Sequence, residues 1–152
     1  GIYSDREFEA RNEIKLEKYS TVIDIEARVL ADIARNHIIP AALNYQNRLI
    51  ENVKGLKEIF GDKEFKTLAK EQLELISDIS GNVSQIKVGV DELLAAKEKA
   101  KNTSGSQKQA EEYCNNVIPF FEVVRKASDA LEMMVDDELW PMTKYRELLF
   151  TR

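Results

Sequence analysis

The sequence predicts an all-α fold: an antiparallel three-helix bundle of long, coiled-coil-like helices with a short C-terminal tail folded on one end. Apolar and small residues recur about one helical turn apart over most of the chain. Only 6 glycines and 3 prolines occur among 152 residues, too few for a turn-rich β-fold. Two loop-like stretches, at Gly61 and over residues 101–108, divide the chain into three helical segments.

The first helix is predicted to span residues 5–60. Ser4 and Glu7 form an S-x-x-E capping box, and Tyr3 and Phe8 occupy the two positions of a hydrophobic staple. A helix of this length is not stable alone in water, so the rest of the chain must cover its apolar stripe. That stripe comprises Leu16, Tyr19, Ile23, Ala27, Leu30, Ala34, His37, Ala41, Tyr45, Leu49, Val53, Leu56 and Phe60.

Pro40 interrupts this helix. A proline cannot donate to the carbonyl four residues earlier, so we expect a kink near Asn36; the alternative is two helices that meet at Pro40. The third helix repeats the setting, because Asn115 lies four residues before Pro119. The two segments are therefore candidates for a short internal repeat.

The second and third helices are predicted over residues 63–100 and 107–136, followed by a tail over 137–152. Gly61 suits a left-handed C-terminal cap of the first helix, and Asp62 suits the N-cap of the second. The second helix carries a three-four seam that suits nearly antiparallel packing. Its members are Phe65, Gln72, Ile76, Ile79, Val83, Ile86, Val90 and Leu93.

Two glycines lie inside the second helix. Folding the chain back at Gly61 places Pro40 beside Gly81. Folding it back at residue 104 places Pro119 beside Gly89. We therefore expect each proline to face a glycine, where two helix backbones can approach closely.

Composition excludes several functional classes. The net charge of −5 is spread along helix faces, whereas nucleic-acid binding needs a concentrated basic patch. No run is long enough to span a membrane, and no signal peptide is visible. Cys114 is the only cysteine, which suits a reducing cytoplasm. We expect a cytoplasmic protein that binds neither nucleic acid nor membrane.

Candidate catalytic and metal-binding residues lack partners. His37 lies on the predicted buried stripe without a second histidine at ligand spacing, so a core or half-buried histidine is favoured over a metal ligand or general base. Cys114 is interpreted as a small packing residue. The absence of a Gly-rich phosphate loop or nucleophile motif predicts no catalytic, cofactor-binding or metal-binding residue.

An acidic cluster occurs near the end of the third helix. Paired carboxylates can bind Mg²⁺ or share a proton, but EF-hand spacing is absent and acidic helix ends commonly face water. A solvated helix end is therefore the favoured interpretation. The cluster comprises Glu132, Asp136, Asp137 and Glu138.

The tail departs from the helical pattern and is the predicted docking element. Pro141 should end the third helix near Leu139. Aromatic and leucine side chains then gather in a short segment, and such groups anchor contacts. We expect them to fold onto the bundle near the turn at Gly61, to bury in a partner surface, or both. The predicted docking residues are Trp140, Pro141, Tyr145, Leu148, Leu149 and Phe150.

The same region carries a family resemblance. The run RKASDALEMMVDDELWPMTKYRELLF resembles the C-terminal end of type III glutamine synthetases, except at Thr143 and Lys144, where that family has a proline and a small residue. The run EIKLEKYSTVIDIEARVLADIARNHIIPA is similar to the same family. The matching positions are Glu17, Tyr19, Ile23, Ile25, Glu26, Ala27, Arg28, Ile39, Pro40, Ala41, Arg125, Asp129, Leu131, Glu132, Trp140, Pro141, Tyr145, Leu148, Leu149 and Phe150.

The resemblance implies that residues 1–152 form a single C-terminal helical domain of a longer chain. The parent would condense glutamate with ammonia, using ATP and Mg²⁺, in ring-shaped homo-oligomers. The family's catalytic residues lie in an upstream domain, so none transfers to this chain. The implied role is packing on the catalytic domain of the same chain and on neighbouring subunits.

Two other classes remain as alternatives. A ligand-sensing bundle of a receptor also has long antiparallel helices and internal prolines, although its ends would continue into membrane spans. A stand-alone enzyme is disfavoured, because the chain has a single histidine and a single cysteine.

Overall fold

The computed structural model describes residues 4–149, together with all side chains in that range except those of residues 145 and 146. These residues are helical and contain no strand, which confirms the all-α class. The elements are α1 (Asp5–Ile33), the π-helical turn π1 (Ala34–Ile38), α2 (Ile39–Ile59), α3 (Asp62–Leu68), α4 (Lys70–Lys101), α5 (Ser106–Glu112), the π-helical turn π2 (Tyr113–Val117), α6 (Ile118–Met134) and α7 (Tyr145–Leu148).

The start of α1 forms as predicted. Ser4 N donates to Glu7 Oε2 at 2.9 Å, and Glu7 N donates to Ser4 Oγ at 3.4 Å, which confirms the capping box. The carboxylate accepts hydrogen bonds from the backbone and hydroxyl of Ser4, which lowers the pKa of Glu7. Tyr3, one half of the predicted staple, lies outside the described residues.

Each internal proline follows a π-helical turn. Ile39 N donates to the carbonyl of Ala34, and Ile118 N donates to that of Tyr113. Both bonds reach back five residues, so each turn holds one residue more than an α-helical turn before the proline begins the next helix. The repeated proline setting therefore produces a repeated structure. The helix is unbroken from Asp5 to Ile59, so the alternative of two helices meeting at Pro40 is wrong.

The π1 turn shifts the buried stripe by one residue. The predicted stripe holds from Ile23 to Ala34, although before it Ser20 is buried and Tyr19 is 38% exposed. After π1, the buried residues are Ile38, Ala42 and Gln46 instead of positions 37, 41 and 45. His37 is consequently exposed, and its prediction as a core residue is wrong. The cause is the extra residue in π1, which rotates everything that follows relative to the core.

The connection after α2 differs from the prediction in two ways. Gly61 is the extended N-cap of α3, with φ −68° and ψ 159°, instead of a left-handed C-terminal cap. The helix predicted over residues 63–100 is two helices, because the chain breaks at Ala69 between α3 and α4. Phe60 and Gly61 are both extended, so the chain turns within two residues and Asp62 already lies inside α3.

The contacts between α1–α2 and α4 have a regular order. Partner numbers on α4 fall as residue numbers on α1–α2 rise, in agreement with folding back at Gly61. The paired residues are Asp24 with Lys97, Arg35 with Asp91, Gln46 with Ile76, and Asn52 with Gln72.

The predicted proline–glycine pairs do not form. A Cβ at Gly81 would meet nothing within 4 Å, so no backbone crowds it. Gly89 does mark a close approach, but its neighbours are Val124 Cγ2, 3.1 Å from a Cβ placed there, and Val123 Cγ1, at 3.3 Å. Because α5 packs mainly on α1, α6 meets α4 several residues later than a simple fold-back at residue 104 predicts.

Two clusters of buried side chains form the core. The larger one lies between π1–α2, α4 and α6, and it includes Ile38, Ile79, Ile86, Val90, Val124, Leu131 and Trp140. The smaller one lies between α1, the end of α4 and π2, and it includes Ile23, Ala27, Leu93, Ala100, Tyr113 and Val117. The tail thus joins the larger cluster through Trp140.

Candidate functional site

The predicted docking element begins with a tight turn after α6. Val135 is extended, and the carbonyl of Asp136 accepts hydrogen bonds from the backbone of Leu139 and Trp140, both at 3.0 Å. Asp136 Oδ1 also accepts from Glu138 N at 3.0 Å. This turn directs the Trp140 side chain into the larger core cluster, where it is only 7% exposed.

Lys144 fastens the rest of the tail to the end of α6. Its Nζ donates to the carbonyls of Glu132 and Val135 at 2.9 and 3.1 Å, and it lies 2.5 Å from Asp137 Oδ1. A cation at this position satisfies terminal carbonyls and complements the negative end of the helix dipole. From the sequence, Lys144 stood out only as a departure from the family pattern. No local signal marked its role, because it lies ten residues beyond the end of α6.

Of the six predicted docking residues, the structure describes the side chains of four, and these four fall into two groups. Trp140 folds onto its own bundle, whereas Leu148 and Leu149 remain 58% and 62% exposed, and Pro141 is exposed. Phe150 and the side chain of Tyr145 lie outside the described part of the chain.

The described part of the tail, up to residue 149, packs away from the turn at Gly61. Asp136 lies 3.7 Å from Arg48, and Tyr45, Leu49 and Leu75 pack against the cluster that holds Trp140. The predicted position is wrong because α6 ends well short of the tip formed by α2 and α3.

Two exposed methionines accompany the exposed leucines of the tail, and one of them, Met133, lines a groove with Leu148. Met133 is 86% exposed, and Met142 is 38% exposed. A shallow groove between α6 and the tail is lined by Arg125, Asp129, Glu132, Met133, Thr143 and Leu148. We call Met133, Leu148 and Leu149 the tail face.

A buried ionic cluster that sequence analysis missed joins α1, α4 and π2. Lys97, whose side chain is 6% exposed, lies 3.2 Å from Asp24 Oδ1 and 2.8 Å from Glu98 Oε1. Tyr113 donates its hydroxyl to Asp24 Oδ1 at 3.3 Å, and Arg28 lies 3.0 Å from Asp24 Oδ2. The cluster links three elements through the buried Lys97 and the largely buried Asp24, while Glu98 and Arg28 are 59% and 60% exposed at its edge.

The pKa values in this cluster follow from its contacts. The hydrogen bond to Glu98 raises the pKa of Lys97, and the bond to Asp24 adds to the effect, while burial opposes it. Burial raises the pKa of Tyr113 to about 12, and the negative charge of Asp24 reinforces the rise. Each of these side chains forms an ion pair or a hydrogen bond with another member of the cluster, so the arrangement suits a structural role.

The remaining candidates do not assemble into a site. Cys114 is exposed, so its prediction as a packing residue is wrong: Tyr113 takes the buried position in π2. Cys114 lines an open groove with Tyr19, and their hydrogen bond raises the pKa of that phenol. Within residues 4–149, no group of three or more His, Cys, Asp or Glu side chains could hold a metal ion.

The acidic cluster is used for structure. Asp136 builds the tail turn and faces Arg48, and Asp137 pairs with Lys144. Across the described part of the chain, no helix is long and apolar enough to cross a membrane.

Fold and site together define an all-helical domain with an ionic cluster between three of its elements and a tail fastened to its own core. Residues 1–57 match the family model described as the glutamine synthetase C-terminal domain. This match and the relatives of the chain confirm the resemblance found in its motifs.

Three relatives align along 99% of the chain. It is 45% identical to a glutamine synthetase of Bacteroides fragilis and 32% identical to a type-3 glutamine synthetase of Dictyostelium discoideum. It is 22% identical to a glutamine synthetase of Butyrivibrio fibrisolvens. The chain spans about a fifth of the length of these curated relatives, with 20–21% of each covered. The matches give no support to a receptor sensing domain.

Proposed function

We propose that this chain is the non-catalytic C-terminal helical domain of a glutamine synthetase and that it serves domain docking and oligomer assembly. The parent enzyme would condense glutamate with ammonia by means of ATP and Mg²⁺. No group of described side chains fits Mg²⁺, so we assign those ligands to the upstream part of the parent. The exposed, unpaired Cys114 suits a cytoplasmic location.

The proposed architecture is an antiparallel bundle of three long segments: α1–α2, α3–α4 and α5–α6. The reversed order of the contacts between α1–α2 and α4 supports this arrangement. Such a bundle leaves its two ends and its outer faces for contacts with other domains.

The docking role rests on one observation: part of the tail is buried in the bundle, whereas the leucines that follow it are exposed. Trp140 is buried and Lys144 is fastened to α6, so the backbone that bears Leu148 and Leu149 is held against the bundle. The two leucines nevertheless remain 58% and 62% exposed. Fully burying a leucine side chain is worth about 1.5–3 kcal/mol, so covering the exposed part of both would contribute about 2–4 kcal/mol to docking.

The test is a double substitution in the full-length protein, Leu148→Asp with Leu149→Asp. We expect the oligomer to dissociate in size-exclusion chromatography with light scattering, because two carboxylates would have to be buried. The matched control is Leu68→Asp with Leu73→Asp, at leucines that are 50% and 45% exposed on α3 and α4. Dissociation of the control alone, or an intact oligomer with the tail substitutions, contradicts the proposed role of the tail face.

The non-catalytic assignment has its own test. The isolated chain should form no glutamine from glutamate, ammonia and ATP, whereas the full-length protein should. ATP-dependent glutamine formation by residues 1–152 alone would refute the assignment.

A further inference from the structure

The solvent side of α1 carries an unexpected aliphatic stripe. Ile14, Val22, Ile25 and Val29 are 63%, 43%, 47% and 51% exposed. On a helix of 3.6 residues per turn they fall within a sector of about 80°. The buried residues of the same helix, Ser20, Ile23, Ala27 and Ala31, occupy the opposite side. We call the four exposed side chains the outer stripe.

The outer stripe has the pattern of a helix that packs on both sides. A surface helix normally places polar residues opposite its core face. Here Val22, Ile25 and Val29 keep the three-four spacing of a coiled-coil seam. All four members are β-branched, so their side chains are already stiff and lose little rotational freedom when they are covered. The stripe is therefore suited to a second packing partner.

We propose that the partner of the outer stripe is the part of the same polypeptide that precedes this domain in its relatives. This rests on the proposed function, since it names the surface by which the domain docks on the parent enzyme. The relatives are about five times as long as the aligned region, which covers 20–21% of them. The matched family is described as a C-terminal domain, so the rest of the polypeptide of such a protein precedes the aligned region.

The size of the stripe favours this occupant over a second copy of the domain. From Ile14 to Val29 the stripe is about 22 Å long, at 1.5 Å per residue. Four side chains on one helix face fall short of the roughly 1,200 Å² of total buried surface that stable complexes need. A partner on the same chain is present at an effective concentration of about millimolar, so a small contact is sufficient.

The charges beside the stripe indicate the chemistry of the partner surface. Lys15 and Lys18 are exposed on the same side of α1, next to Ile14 and Val22. The partner surface should therefore be an aliphatic groove with carboxylates opposite the half of the outer stripe that begins at Ile14. Such a surface differs from the tail's partner, which meets a patch of leucine and methionine side chains.

The test compares thiol labelling in the full-length protein and in the isolated chain. Val29→Cys is introduced with Cys114→Ser, and maleimide labelling is followed by mass spectrometry. We expect labelling at least 10-fold slower in the full-length protein than in the isolated chain. The matched control is Val88→Cys, at a valine that is 57% exposed on α4, which should label at equal rates in both.

The occupant is identified by cross-linking from Lys18 in oligomers assembled from ¹⁴N- and ¹⁵N-labelled full-length chains. Cross-links within one isotopic label support the proposal. Mixed-label cross-links mean that a neighbouring subunit covers the stripe, and they overturn it. Concentration-dependent slow labelling of the isolated chain means a second copy, and fast labelling in both proteins means a free surface; either result also overturns it.

Failure of this inference can be distinguished from failure of the proposed role of the tail face. An open stripe together with an oligomer that dissociates on Leu148→Asp and Leu149→Asp removes this inference and leaves the docking role. A protected stripe with an intact substituted oligomer removes the tail face and leaves the stripe.

Discussion

Replacing Lys97 with methionine should destabilise the domain by about 2–3 kcal/mol. The side chain is 6% exposed, and methionine fills nearly the same space, so the change removes charge and leaves packing almost intact. Stripping one partner from a buried ion pair costs about 3–5 kcal/mol. Asp24 keeps Arg28 at 3.0 Å and the Tyr113 hydroxyl at 3.3 Å, which reduces the expected cost.

The measurement is urea unfolding followed by circular dichroism. For a domain of this size the loss corresponds to a fall in Tm of about 4–12 °C. Lys99→Met is the matched control, since Lys99 is exposed on the same helix, and it should change stability by less than about 0.5 kcal/mol. A Lys97→Met protein as stable as the control would refute the view that the ionic cluster holds α1, α4 and π2 together.

Three further predictions concern packing and pH. Trp140→Ala should lower the free energy of unfolding, measured in urea, by about 3–5 kcal/mol, as for a large core side chain. Met142→Ala should lower it only slightly. Equal losses in the two variants would contradict the placement of Trp140 in the core. Gly89→Val should lower the free energy of unfolding by about 1–3 kcal/mol, because a Cβ at this position already lies 3.1 Å from Val124 on α6. Gly55→Ala has open space around it and should raise the Tm. A Gly89→Val protein of unchanged Tm would contradict the close approach of α4 and α6. The free energy of unfolding should fall between pH 10 and about 12, because the pKa of Tyr113 is near its ordinary 10.0 in the unfolded chain and about 12 in the folded one. Tyr113→Phe should weaken this fall. An identical pH profile of the variant would argue against a role of Tyr113 in the fall.

The shifted stripe shows where sequence reasoning reached its limit. The periodicity correctly identified the buried side of α1 as far as Ala34, and Pro40 correctly marked an irregular turn. It could not specify that the irregularity is a π turn, which inserts one residue and exchanges His37 for Ile38 in the core. A proline forbids one hydrogen bond, and both a kink and a π turn satisfy that restriction.

The tail is a second case in which the sequence predicted part of the structure and could not specify the rest. Its composition predicted a docking segment, and the structure buries one member of that segment, Trp140, in the larger core cluster. The place where it docks depended on the length of α6 relative to α2, which short aromatic and leucine patterns do not encode. Lys144 and Lys97 were missed because a lysine carries the same local signal whether water or a buried carboxylate surrounds it.

The sequence by itself determined the helical class, the cap of α1, the positions of the proline irregularities and the family resemblance, because these depend on residues close together in the chain or on short sequence motifs. The tertiary structure decided which side of each helix faces inward after a π turn, where Trp140 is buried, and which lysines are enclosed. These properties depend on side chains brought together from distant positions, and burial changes the free energy of a charged or aromatic group according to the neighbours it meets.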